Sequence, residues 1–243
     1  MKTYIIAEIG INANADFIQG LQLVDSAIDS GANAIKFQYW GNEYIQKCQW
    51  RDKLEGQLFS KQEMIAFKEH IERKGVDFIC TAFDMESFDF VKSLNPVAYK
   101  IPSNGYVVGN PILMSYIIET CRREDKKLYI STGAYDDNEI QRVYEHDTYG
   151  VDICLMHCVS EYPVNLENCN LNRVRYFNML YRNDLCSIGL SDHSGLPEIP
   201  VAAVALGAQA IEVHVTLDKN MEGPDHKASL DINQFQSMVR MIH

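Results

Sequence analysis

Short apolar runs alternate with longer amphipathic segments along the whole chain. The runs are YIIAEIG (4–10), AIKFQ (34–38), VDFICTAFD (76–84), AYKIPS (98–103), KLYISTG (127–133), VDICLMHCV (151–159), CSIGLSDH (186–193) and AIEVHVTL (210–217), eight in all. Each is short and nearly continuous in apolar residues, the pattern of a strand buried on both faces. Between them lie helical patterns such as FIQGLQLVDSAIDSGA, SKQEMIAFKEHIERKG, MESFDFVKSL and EIPVAAVALGA. Several of these reach the glycine expected just past a helix C-terminus, and each is long enough to carry a parallel crossover.

Eight strand-helix units within 243 residues predict an α/β protein, a single-domain (β/α)8 TIM barrel over residues 1–243. An open doubly wound sheet is the alternative, but no GxGxxG fingerprint follows the first strand. In a barrel of this kind, chemistry gathers at the C-terminal ends of the strands. The predicted strands end there in polar groups: Glu8, Lys36 with Gln38, Thr81 with Asp84, Lys100 with Ser103, Ser131 with Thr132, His157 with Ser160, Ser191 to His193, and His214 with Thr216. Eight purely structural strands would have little reason to finish so.

Composition narrows the classes. A net charge of −11, from 22 basic and 33 acidic residues, argues against binding nucleic acid or an anionic membrane through the overall field, so any phosphate must be held by a local basic site. The N-terminal MKTYIIAEIGIN lacks the roughly 7–15-residue apolar core of a signal peptide. No run approaches the ~18 apolar residues of a membrane span, which sets the expectation of a soluble, cytoplasmic protein. The seven cysteines are scattered and odd in number, as expected of reduced core thiols.

Lys36 and Lys100 fall in strands that read as buried, where an ammonium is costly without an anion beside it. Converging with Thr81, Ser103, Ser131 and Ser191, they would form a pocket for a phosphate or carboxylate. Alternatively each lysine pairs with a barrel carboxylate such as Glu8 or Asp84, or runs out to solvent. His193 and His214 end adjacent strands, and two neutral imidazoles there can hold a divalent metal with positions open for water and substrate, with Gln38 orienting a bound water. Cys154 and His157 point to opposite faces of an extended strand, which excludes a thiol-imidazole pair between them; His157 and Cys158 read as structural.

Taken in order, AEIGIN, AIKFQ, FICTAFD, AYKIPS, ISTG, HCVSEYP, IGLSDHSG and IEVHVTLDKNMEGPDHKASL resemble the sialic acid synthase family, barrel enzymes that condense phosphoenolpyruvate with an amino sugar. The resemblance covers essentially the whole chain. It implies phosphoenolpyruvate on Lys36, Lys100, Thr81, Ser103, Ser131 and Ser191, a manganese or magnesium ion on His193 and His214, and sugar contacts from Glu8, Tyr162 and Asp225. It also implies an aldehyde-sugar acceptor and a nine-carbon 2-keto acid product, with a homodimer as the expected assembly.

Departures cluster on the sugar side. Ala13 and Ala15 stand where the family has a histidine and a glycine, Gly105 where it has a sugar-binding glutamate, and Ser160 where asparagine is common. The family's small C-terminal antifreeze-like domain is not found in these 243 residues. Two readings follow: a synthase with an altered acceptor, or a non-catalytic or regulatory binding protein on a diverged barrel. A metal-dependent lyase or hydrolase is a third, and would have to account for both lysines.

Overall fold

The structure is a computed structural model that describes residues 2–49 and 51–243. A strand forms at each of the eight apolar runs, β2 reaching one residue past its run: β1 Tyr4–Glu8, β2 Ala34–Tyr39, β3 Asp77–Ala82, β4 Ala98–Ile101, β5 Lys127–Ser131, β6 Ile153–Cys158, β7 Cys186–Asp192 and β8 Ala210–Thr216. All neighbours pair in parallel and in sequence order, and β8 returns to β1 in the register Tyr4↔Ala210 through Glu8↔His214. The sheet is thereby a closed barrel with helices outside it, the (β/α)8 architecture expected. A two-residue ninth strand, β9 Leu230–Asp231, pairs with the end of β8 and folds the intervening loop back toward the barrel mouth.

The helices begin where local chemistry satisfies their first amides. Ser60 and Glu63 form a reciprocal capping box at the start of helix Lys61–Arg73, and Asp231 with Gln234 does the same for Ile232–Ile242. Asp84 caps helix Met85–Ser93 through Ser87, 2.8 Å from its amide, and also accepts the amides of Gly41 and Tyr44 at 3.0 Å each. It is therefore a hinge pin for the β2 and β3 loops, and its carboxylate is engaged by backbone amides in place of the lysine partnership considered for it.

Strand alternation sorts the side chains. Ile5, Ala7, Ile35, Phe37 and Phe78 face outward into the layer between sheet and helices. Inside the barrel a second, separate cluster holds Ile6, Ala34, Ile79, Ala98, Met156 and Ala210. Burying Ile6 and Ile79 completely contributes about 1.5–3 kcal/mol each. Tyr4 closes the bottom, stacked on Tyr129 and hydrogen-bonded to Asp77. One turn of the pleat higher, the same strands present Glu8, Lys36, Thr81, Lys100, Ser131, Ser191 and Glu212, so the floor is apolar and the mouth is charged. No helix among the described residues is long and apolar enough to cross a membrane.

Candidate active site

The mouth opens into a cavity of about 500 Å³. Its floor is a tetrad of charges. Lys36 pairs with Glu8, donates to Thr81 Oγ1 at 3.1 Å and lies 3.7 Å from Glu212 Oε1. Lys100 lies 3.9 Å from the same Glu212 oxygen and donates to Ser131 Oγ at 2.6 Å and to the Ile101 carbonyl at 3.0 Å. Ser191 donates to Glu212 Oε1 at 3.0 Å. All four charged groups are at most 4 % exposed.

Two lysines and two carboxylates balance, yet the members are not equivalent. Burial lowers the pKa of Lys36, but Glu212 and Glu8 outweigh it and hold the ammonium above its ordinary value. Lys100, with Glu212 its nearer carboxylate and Lys36 opposing, is left below its ordinary value by burial. Burial likewise pushes Glu8 up to about 7 against the pull of Lys36. An incoming anion would therefore relieve Lys100 most, because that is the cation whose charge the fold compensates least.

Of the residues expected from sequence, Gln38, Thr81, Ser103, Ser160, Tyr162 and Asp225 line the cavity together with both lysines, Ser131, Ser191, His193 and His214. Glu8 does not. It is fully buried beneath Lys36, under Gly10, whose φ of +52° and close approach to both Glu8 and Gln38 leave little room for a side chain. Ser103 and Ser160 hydrogen-bond to each other across the wall, against Gly133. Gly105 opens onto the cavity with nothing within 4 Å of where a Cβ would stand.

His193 and His214 lie with ring centroids 5.3 Å apart. His193 Nδ1 is bonded to the Val159 carbonyl at 2.9 Å, which directs Nε2 elsewhere. Burial, then His193, Lys36 and Lys100, drive His214 well below its ordinary pKa, so it is neutral, and its buried Nδ1 has no hydrogen-bond partner. Asp225 Oδ2 is 3.5 Å from that nitrogen, its carboxyl pushed up to about 6 by burial. Among the described residues no group of three or more metal-ligating side chains assembles. Two imidazoles with an unpartnered buried nitrogen suit a divalent ion that takes most of its ligands from water and substrate.

Sequence reasoning missed two members. Glu212, two residues from His214 on an alternating strand, shares the inward face with it, and that period was the available signal. Cys158, read from sequence as structural, lines the cavity, with Sγ 3.9 Å from His193 Nδ1. His157 does face away, bonded to the Cys169 carbonyl at 2.8 Å. All seven cysteines are free thiols.

A profile of the NeuB family matches residues 23–243. The chain belongs to the NeuB family. It is 35 % identical over 261 residues to the N,N'-diacetyllegionaminic acid synthase of Campylobacter jejuni, covering 99 % of this chain and 75 % of that one. An uncharacterised protein of Methanocaldococcus jannaschii is 39 % identical over 244 residues, with 99 % and 70 % covered. Among solved structures, the N-acetylneuraminic acid synthetase of Leptospira borgpetersenii superposes with a TM-score of 0.89 at 29 % identity, over 100 % of this chain and 83 % of that one. Gly105, Ser103 and Ser160 all line this cavity.

Proposed function

We propose that this NeuB protein condenses phosphoenolpyruvate with an aldehyde sugar to give a nonulosonic, sialic acid-like 2-keto acid, with an acceptor other than the family's usual amino sugar. The observation that carries this is the tetrad. Lys36 and Lys100 are buried at the C-terminal mouth, at a cost in stability that a non-binding barrel has no reason to bear. They line the cavity together with Thr81, Ser103, Ser131 and Ser191, a set of donors suited to the carboxylate and phosphate of the enol donor.

The reaction joins C3 of phosphoenolpyruvate to the aldehyde carbon and, after water adds at C2, releases inorganic phosphate. Lys100 and Ser131 hold the donor's anionic end, and Lys36 balances charge from below. Glu212, hydrogen-bonded by Ser191, fixes the two ammonium groups at its Oε1. Asp225, raised toward neutrality, exchanges a proton with an acceptor oxygen on the outer side, where Tyr162 and Gln38 orient the sugar. His193 and His214 would hold manganese or magnesium, which when bound supplies Lewis-acid polarisation of the aldehyde oxygen. Gly105 removes a carboxylate from the acceptor wall, which supports an altered acceptor and equally favours the second reading, a non-catalytic binding protein.

Calorimetric titration of phosphoenolpyruvate into manganese-loaded protein, with Lys100→Ala as control, separates the two. Binding that needs Lys100, followed by phosphate release with some member of an aldehyde-sugar panel, is the expected result. Binding without turnover on any sugar would favour the non-catalytic protein. No binding would end the phosphoenolpyruvate assignment.

A further inference from the structure

We propose that Tyr162 guards the metal position of His193: its hydroxyl and a divalent cation compete for one ring nitrogen, so that metal affinity is set by where this tyrosine points. The inference rests on the proposed function in needing a cation at His193 and His214. Tyr162 enters above as a sugar contact; competition with the metal is a different role and follows from the contacts of His193 alone.

His193 has two ring nitrogens, and both are committed. Nδ1 is bonded to the Val159 carbonyl at 2.9 Å, a backbone partner that fixes the ring. Nε2 is bonded to the Tyr162 hydroxyl, also at 2.9 Å. The phenol ring stacks on the imidazole, with centroids 4.0 Å apart and planes at 26°, and meets His214 edge-on at 5.9 Å and 89°. Each imidazole nitrogen offers one bonding position, a lone pair or an N–H, and a nitrogen engaged in a hydrogen bond has to give it up to coordinate a metal. Whichever of the two atoms donates, the bond to Tyr162 and a bond to a cation exclude each other at Nε2.

Tyr162 is free to yield. It lies in the loop after β6 and is 45 % exposed, whereas His193 is 3 % exposed and held by the backbone. Swinging the phenol aside breaks one hydrogen bond, the stacking on His193 and the edge contact with His214, and disturbs no core packing. Apparent metal affinity is then the intrinsic affinity reduced by the fraction of molecules in which Tyr162 has moved away. A ligand in the outer cavity that draws the hydroxyl to itself raises metal affinity, and by reciprocity the metal raises affinity for that ligand. The cation and the acceptor would thus load together, through a residue that touches both.

The test uses manganese alone, titrated calorimetrically into metal-stripped full-length protein at one pH and ionic strength, for the wild type, Tyr162→Phe and His193→Ala. Phenylalanine keeps the stacked ring and removes only the hydroxyl. Tyr162→Phe should bind manganese about fivefold more tightly, the ratio corresponding to one hydrogen bond of ordinary net strength, and His193→Ala should lose the site. Equal or weaker binding by Tyr162→Phe, with the wild type binding, would overturn the competition and leave the metal assignment standing. Wild-type-like binding by His193→Ala would overturn it by showing the cation held elsewhere. No binding by folded wild type and Tyr162→Phe alike, with folding checked by circular dichroism, would remove the metal from the proposed function and the guard with it.

Discussion

The two levels of the barrel interior are equally dry and chemically opposite. Ile6, Ala34, Ile79, Ala98 and Ala210 on the floor are at most 4 % exposed, and so are Glu8, Lys36, Lys100 and Glu212 just above them. The same strands supply both levels, two residues apart. The floor is what a barrel requires to stay closed. The mouth works against stability, because four desolvated groups recover their hydration through one another, two serines, a threonine and the Ile101 carbonyl. The difference shows that burial alone does not separate core from site in this fold; the chemistry of what is buried does.

Substitutions at the two levels should therefore fail in opposite ways. Lys100→Met should cut phosphoenolpyruvate-dependent phosphate release by roughly a hundred- to a thousandfold per folded molecule, the usual loss for removing one preorganised charge donor, beside a lower denaturation midpoint because Glu212 is left with one ammonium partner. A loss of activity no larger than the loss of folded protein would instead make Lys100 a structural residue. Ile79→Ala on the floor should show the reverse, losing about 2–5 kcal/mol in urea unfolding while the surviving folded fraction keeps its KM for phosphoenolpyruvate.

Replacing Glu8, Lys36, Lys100 and Glu212 together by leucine and methionine should extend the floor upward. That variant is expected to gain about 1–4 kcal/mol of stability and to lose phosphoenolpyruvate binding in calorimetry. Net destabilisation would mean that the tetrad holds the barrel together, and the comparison would collapse.

The smallest effect belongs to the outside of the barrel. Asp25 accepts from His70 at 2.7 Å and is 2.8 Å from Lys74. Burial pushes its carboxyl up, but the hydrogen bonds from Lys74 and His70 outweigh that and hold it below the ordinary carboxylate value. A depressed folded pKa contributes stability above the unfolded value of about 4, lost as pH falls through the folded one. Asp25→Asn should thus cost about half a kcal/mol at neutral pH after solvent screening, and the difference should shrink in acid unfolding curves as pH falls below the unfolded carboxylate value of about 4.

The alternation of apolar runs and helices was legible because strand and helix periods are local properties, and seven of the eight strands fall inside the predicted runs, β2 overrunning its own by Tyr39 alone. The polar strand ends were legible for the same reason. The loop after β2 was not: it folds into two short helices, Asn42–Lys47 and Arg51–Leu54, that bring Tyr44 and Lys53 to the cavity wall. Pieces of four to six residues are too short to show a period. Glu212 shares its face with His214 by strand period, but its partners Lys36 and Lys100 stand on other strands, which an isolated acid in an apolar run does not reveal.

By itself the sequence determined a closed barrel, its functional end, and the residue types available there: two lysines, two histidines and a row of hydroxyls on strand termini. Only the tertiary structure decided which of them meet. It set Glu8 beneath the cavity, made Glu212 the shared partner of both lysines, turned Asp84 into a helix cap and laid Tyr162 across His193. Strand periodicity fixes the face on which a side chain lies, whereas these pairings depend on the stagger between strands and on how the loops close over the mouth, distances of a few ångströms set by contacts remote in sequence.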